Sequence, residues 1–339
     1  VVLGALFGLH VLLLGVPARS GGALAAVRGA TRVGVVLDVG GRGDKSFNDG
    51  AYAGAERAAQ TLGADVRFIE PGDGSDREAG LRLLSAEGMQ LVVGVGFIFS
   101  DDLTALAREY PRQAFAGIDF ALGDAPLPGN LAAIKFREEE GSYLVGALAA
   151  LAGGSKRVGF VGGMDTPLIR KFESGYRAGV LRVCPDCEVL VGYAGATPEA
   201  FRNPERGKEL ALSEYQAGAN VVYHAAGATG LGVFEAARET GKLVIGTDAD
   251  QSDEAPGHVL TSMVKRVDVA TYNAIREVRA GTFHGGVYSL GLAEGGVGYV
   301  ANPRLIPDSV RVIVDGLKAD IIAGRIRVSV AGGAASVHQ

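Results

Sequence analysis

Short apolar runs alternate with amphipathic stretches along most of this chain. Runs at 33–39, 66–70, 91–95 and 114–118 have strand length, and the first, third and fourth are nearly continuous, as in strands buried on both faces. The stretches between them, at 47–62, 76–87 and 101–109, carry helical periodicity. That alternation predicts βαβ repetition, hence a parallel sheet with helices on both faces. Residues 119–130, rich in Pro and Gly, break the rhythm. A second series follows, with helices at 138–151, 168–183, 204–217 and 230–240 and strands at 158–162, 189–193, 221–224 and 244–247. After Asp248 comes a polar turn, then a helix at 267–280, short strands near 287–290 and 297–300, and a last helix at 307–323. The pattern predicts an α/β protein of two doubly wound lobes, and 339 residues suit two lobes better than one.

The first residues are of another kind. Positions 1–16 are apolar apart from small residues and His10; Arg19 follows, then Ala23-Leu24-Ala25, a small-residue cleavage pattern. The run is short for a membrane span, so it predicts a secretory signal peptide over 1–25, although no basic segment precedes it. A retained apolar helix is the alternative. A net charge of −5 and the absence of Trp argue against a nucleic-acid binder.

Candidate chemistry gathers where strands end. The run 33–37 closes on Asp38, and Gly40, Gly41 and Gly43 then form a tight loop before Ser46-Phe47-Asn48-Asp49. Ser46 and Asp49 have the spacing of a capping box for a helix from Phe47. The glycines do not follow the dinucleotide spacing. Ligands of open parallel sheets bind beyond the carboxyl ends of the strands, which is where Asp38, Phe47 and Asn48 fall. Asp119 and Asp248 end their own strands likewise, and three such carboxylates would accept hydrogen bonds from ring N–H groups, amines or hydroxyls. The competing readings are that the aspartates cap helices and that Phe47 packs inward.

The segment Asp44-Lys45-Ser46-Phe47-Asn48 closely resembles the basic membrane protein family of solute-binding proteins, the nucleoside-binding components of bacterial ABC importers. The resemblance recurs at Phe172-Glu173-Ser174-Gly175-Tyr176, His224-Ala225-Ala226-Gly227-Ala228-Thr229-Gly230, Gly246-Thr247-Asp248-Ala249-Asp250-Gln251 and Thr261-Ser262-Met263-Val264-Lys265. Five blocks in the family's order cover nearly all of the chain after the first thirty or so residues. The resemblance implies the type I periplasmic-binding-protein fold, two doubly wound parallel-sheet lobes joined by a three-segment hinge. It places one lobe at 31–120 plus about 263–290, the other at 135–247 plus about 303–330, and the crossings near 119–135, 248–262 and 291–303. It implies that Phe47 and Phe172 stack a purine base, that Asp38, Asn48 and Asp119 bond its edge, that Asp248 and Lys265 take the ribose hydroxyls, and that Gly227 lines the pocket. The implied partners are a purine nucleoside and an ABC permease; the protein would be an exported monomer without a cofactor. Many family members are lipoproteins with a Cys at the cleavage site. No Cys precedes Cys184 here, so a free periplasmic form is expected rather than a lipid-anchored one at the cell surface.

The remaining motifs add little. The loop after His224 lacks the spacing and Lys-Ser/Thr of a phosphate-binding loop. Cys184-Pro-Asp-Cys187 fits a local disulfide in an exported protein and follows a helix rather than opening one, unlike a redox motif. It lacks the further ligands a zinc site wants. No hydrolase or metalloprotease motif is present, so the expectation is a binding protein and not an enzyme. The alternatives are an exported enzyme acting on nucleosides and a ligand-sensing receptor domain.

Overall fold

The computed structural model describes residues 29–72 and 76–330; the expected signal peptide at 1–25 lies outside the described residues. The chain forms two six-stranded sheets. The first contains β1 (Arg32–Val36), β2 (Asp65–Ile69), β3 (Leu91–Val95), β4 (Ala114–Ile118), β5 (Leu131–Phe136) and β11 (Gly286–Leu290), in the order β11-β5-β4-β3-β1-β2, all parallel. The second contains β6 (Arg157–Met164), β7 (Glu188–Gly195), β8 (Val221–Ala225), β9 (Leu243–Asp248), β10 (Val259–Lys265) and β12 (Val297–Tyr299), in the order β12-β10-β9-β8-β6-β7. Only the β10–β12 pair is antiparallel. Strands β3 and β4 are buried at every residue, which is why their sequences run apolar without alternation.

Helices cover both faces of each sheet: α1 (Phe47–Leu62), α2 (Arg77–Ala86), α3 (Ser100–Glu109) and α8 (Val267–Ala280) on the first, and α4 (Glu138–Ala152), α5 (Pro167–Val183), α6 (Pro204–Gln216), α7 (Gly230–Thr240) and α9 (Asp308–Ile322) on the second. Helices α4 and α5 pack closely. A Cβ added at Gly179 would lie 1.9 Å from the Tyr143 carbonyl oxygen, so only glycine permits that approach. At the end of α5, Cys184 and Cys187 form a disulfide.

The chain passes between the sheets three times: from β5 to α4, from β10 to α8, and from β11 to β12. The first two passages come later than the ranges the resemblance implies. Residues 119–130 connect β4 to β5 without a helix, and 131–136, buried except at Lys135, remain in the first sheet beside β4. Likewise 259–265 runs beside β9, so the second passage follows Lys265. Strand 131–136, which no helix separates from its neighbour, is hidden from a reading based on alternation. Because the passages follow strands directly, the two sheets present their carboxyl-end edges to one cleft.

Candidate functional site

The cleft between these edges is lined by all eight residues singled out in the sequence: Asp38, Phe47, Asn48, Asp119, Phe172, Gly227, Asp248 and Lys265.

On the first lobe the loop before α1 is organised by Asp44. Its carboxylate accepts the backbone N–H groups of Ser46 (2.9 Å), Asn48 (2.8 Å) and Asp49 (3.1 Å), and also the Asn48 side-chain amide (3.1 Å). Asp44 therefore caps the helix, and the expected Ser46–Asp49 capping box does not form. Asp49 instead accepts the N–H groups of Gly43 and Lys45. The Ser46 hydroxyl crosses the cleft and donates to the Asp248 carboxylate at 2.5 Å. Asn48 Oδ1 accepts the Asp38 N–H at 2.8 Å, fixing the strand end against the helix start.

The strand ends themselves are bent. Asp119 (φ 57°) and Asp248 (φ 69°) occupy the left-handed region, where a non-glycine residue costs roughly 1–2 kcal/mol. Gly96 takes the same position after β3 with φ 119°, and a Cβ there would lie 2.2 Å from Asp38 Oδ2. Glycine at 96 is what lets the Asp38 carboxylate lie across the neighbouring strand end.

Lys265 stands at the centre. Its ammonium is 2.6 Å from Asp119, 3.5 Å from Asp248 and 4.0 Å from Glu138, and it lies over the rings of Phe47 (4.7 Å), Phe172 (5.3 Å) and Phe136 (5.6 Å). It is buried, unlike most lysines. Burial works against its charge, but the three carboxylates outweigh that and raise its pKa. The same burial pushes the carboxyls up: Asp38 to about 7, Asp44 to about 6 and Glu138 to about 7, the last despite Lys171 at 2.7 Å. Asp119 is also raised by burial, with Lys265 opposing. Among the described residues, one oxygen each of Asp119, Asp248 and Glu138 is buried without a hydrogen bond, those of Asp248 and Glu138 facing the Lys265 ammonium.

The aromatic groups divide differently from the expectation. Phe172 lines the cleft but is 2% exposed and belongs to the second lobe's core, with one face under Lys265. Two half-buried rings not foreseen, Phe97 and Phe201, meet edge to face across the cleft at 6.5 Å. Phe97 follows Gly96 at a strand end, so the rule that found Asp38 applies to it. Phe201 ends an isolated 3-10 turn, Pro198–Phe201, which no periodicity marks.

Gly227 opens another such turn with φ 56°, and a Cβ there would come within 3.2 Å of the Phe201 carbonyl oxygen. His224, three residues earlier, does not line the cleft. Its Nε2 meets Gln251 Oε1 at 3.1 Å, an oxygen that also accepts the Thr247 N–H, so Nε2 carries the proton and Nδ1 is left without a partner. Burial lowers its pKa to about 4, keeping the ring neutral. The same Gln251 donates from Nε2 to the Lys45 carbonyl, a second bond between lobes. Among the described residues no group of three His, Cys, Asp or Glu could hold a metal ion.

Residues 31–330 match the family of PnrA-like ABC transporter substrate-binding proteins, Bmp. The chain belongs to this family. Among its relatives, basic membrane protein A of Borreliella afzelii is 34% identical over 301 residues, which cover 87% of this chain and 90% of that one. An uncharacterized lipoprotein of Pyrococcus abyssi is 39% identical over 282 residues, covering 79% of this chain and 68% of the relative. Among solved structures, an ABC transporter system solute-binding protein from Aeropyrum pernix superposes with a TM-score of 0.82 at 35% identity, over 89% of this chain and 94% of the other. Two α/β lobes with parallel sheets and a shared cleft are thus the periplasmic-binding-protein fold of a Bmp solute-binding protein. No described helix is long and apolar enough to cross a membrane.

Proposed function

We propose that this Bmp protein binds a purine nucleoside between its lobes, outside the cytoplasm, and delivers it to an ABC permease. The observation that carries the reading is the make-up of the cleft. Aromatic rings enter from both lobes, and the walls between them are rich in acceptors, among them Asp119 Oδ1, which is buried without a hydrogen bond among the described residues, and Asp248 Oδ1, which faces the Lys265 ammonium at 3.5 Å. A planar base with N–H edges joined to a sugar with hydroxyl donors complements such a wall. In this reading Phe47 stacks one face of the base, with Phe172 forming the wall opposite and Phe201 offering the more accessible ring of the second lobe. Asp38, Asn48 and Asp119 bond the base edge. Asp248 and Lys265 take the ribose hydroxyls, and Gly227 lets the backbone approach. Binding would hold the lobes closed about the three passages, as in other periplasmic binding proteins.

The test is calorimetry of the purified protein with inosine and guanosine, followed by chromatography of the recovered ligand. Saturable binding with the nucleoside returned intact is expected. Absence of binding would sink the nucleoside assignment, and release of free base would turn the reading to a hydrolase.

A further inference from the structure

Past Asp119 the cleft continues into a second cavity of about 270 Å³, bounded by the loop after β4 and the start of α5. Phe97, Asp119 and Leu168 line both spaces, so they are continuous. Asp248 and Lys265 line the cleft but not this annex. The annex therefore opens from the end of the site that meets Asp119, away from Asp248. Its apolar wall is made by Phe97, Leu122, Pro167 and Leu168, with the buried Phe120 and Phe136 behind. Glu138 and Lys171 are charged members toward α4 and α5, and exposed Ala121 stands at its edge. Lys135 also reaches it and makes no ion pair among the described residues.

We propose that the annex is a subsite for a substituent on the base edge of the ligand, an alkyl or aryl group of about benzyl size, so that base-modified purine nucleosides bind with the lobes closed. The inference rests on the nucleoside reading and extends it to a substrate class. The apolar surface of Phe97, Leu122, Pro167 and Leu168 favours an apolar occupant, because burying apolar surface is favourable while a sugar would lose hydration against it. The direction follows from Asp119, which lines both compartments and bonds the base edge in that reading.

The experiment compares matched pairs, adenosine with N6-benzyladenosine and guanosine with N2-benzylguanosine, on the native protein and on Ala121→Trp, by calorimetry. Ala121 lines the annex and not the cleft, and its exposed side chain makes the substitution compatible with folding. For the pair whose parent binds, the native protein is expected to hold the benzyl form within about 10-fold of the parent, whereas Ala121→Trp weakens the benzyl form at least about 10-fold and leaves the parent within about 2-fold. A benzyl form bound about 100-fold more weakly than its parent by the native protein would overturn the subsite and leave the nucleoside reading standing. Equal weakening of both forms by Ala121→Trp would overturn it too. If neither parent nor benzyl form binds in either pair, the nucleoside reading fails and the subsite with it.

Discussion

Lys265 and Asp119 lie 2.6 Å apart although one ends β10 of the second sheet and the other follows β4 of the first, so their ion pair is also a bond between the lobes. Ser46 to Asp248 and Gln251 to the Lys45 carbonyl make the same crossing. The residues proposed to hold the ligand are thus already tied to one another across the cleft.

Lys265→Met removes the ammonium and leaves Asp119, Asp248 and Glu138 buried together. Breaking a buried ion pair from one side costs about 3–5 kcal/mol. Here the loss is expected to be larger near pH 7.5 than at pH 5, because the Glu138 carboxyl, raised to about 7 by burial, takes up a proton as pH falls and sheds part of the uncompensated charge. Adding Asp119→Asn is expected to recover part of it. Urea unfolding at the two pH values measures this; a variant within about 1 kcal/mol of the native protein at both would contradict the central role given to Lys265.

The aromatic residues are expected to separate by assay. Phe172 is core, so Phe172→Ala is expected to lower stability by about 3–5 kcal/mol. Phe47 and Phe201 are half-buried at the cleft. Their alanine variants are expected to lose about 1–3 kcal/mol of stacking, roughly 5-fold to 150-fold in the dissociation constant, with smaller changes in melting temperature. Melts and binding isotherms on all three variants decide. Unchanged affinity in folded Phe47→Ala would remove the stacking role.

Charge sets a further expectation. Among the described residues, Asp38, Asp44, Asp119 and Asp248 line the cleft with Lys265 as its one lining cation, and that ammonium is already engaged by carboxylates. A phosphate added to the ligand would meet no unengaged cation there. A nucleoside 5′-monophosphate is therefore expected to bind at least about 100-fold more weakly than its nucleoside. Comparable affinities in calorimetry would show that the acidic wall does not govern selection.

Most of the fold was legible because each strand–helix pair repeats one pattern, and five family blocks fixed its identity. The strand ends at Asp38, Asp119 and Asp248 were legible for the same reason: a polar residue closing a buried run has few other places to be. What escaped was set by tertiary geometry. The helix cap passed from Ser46 to Asp44 because the serine hydroxyl is drawn to Asp248, some two hundred residues away in sequence. Strand 131–136 was missed because no helix precedes it. Phe201 was not marked because a 3-10 turn carries no period, and the stacking role of Phe172 rests on the family resemblance, which does not say how deeply its ring is buried.

Glu214 supplies a test of burial away from the ligand. It lies on α6 under the second sheet, both carboxyl oxygens are buried without a partner, and a Cβ at Gly159 would come within 2.1 Å of one of them. Burial alone pushes its pKa to about 9. In the unfolded chain it titrates near the ordinary glutamate value of about 4.3. The folded state therefore holds a proton that the unfolded state has released between those two values. This raised carboxyl contributes its stability in full below the unfolded value, and the contribution falls as pH rises through about 9, by at most about 1.4 kcal/mol per pH unit. Glu214→Gln stays neutral throughout and does not lose that contribution. Any cost of burying the amide N–H groups is the same at every pH, so the slope rather than the offset carries the test. The melting temperature of Glu214→Gln minus that of the native protein is expected to increase steadily from pH 5 through 7 to 9, with ligand affinity unchanged because Glu214 does not line the cleft. A difference that stays flat over those three values would mean that Glu214 is ionised in the folded protein and that its carboxyl reaches water.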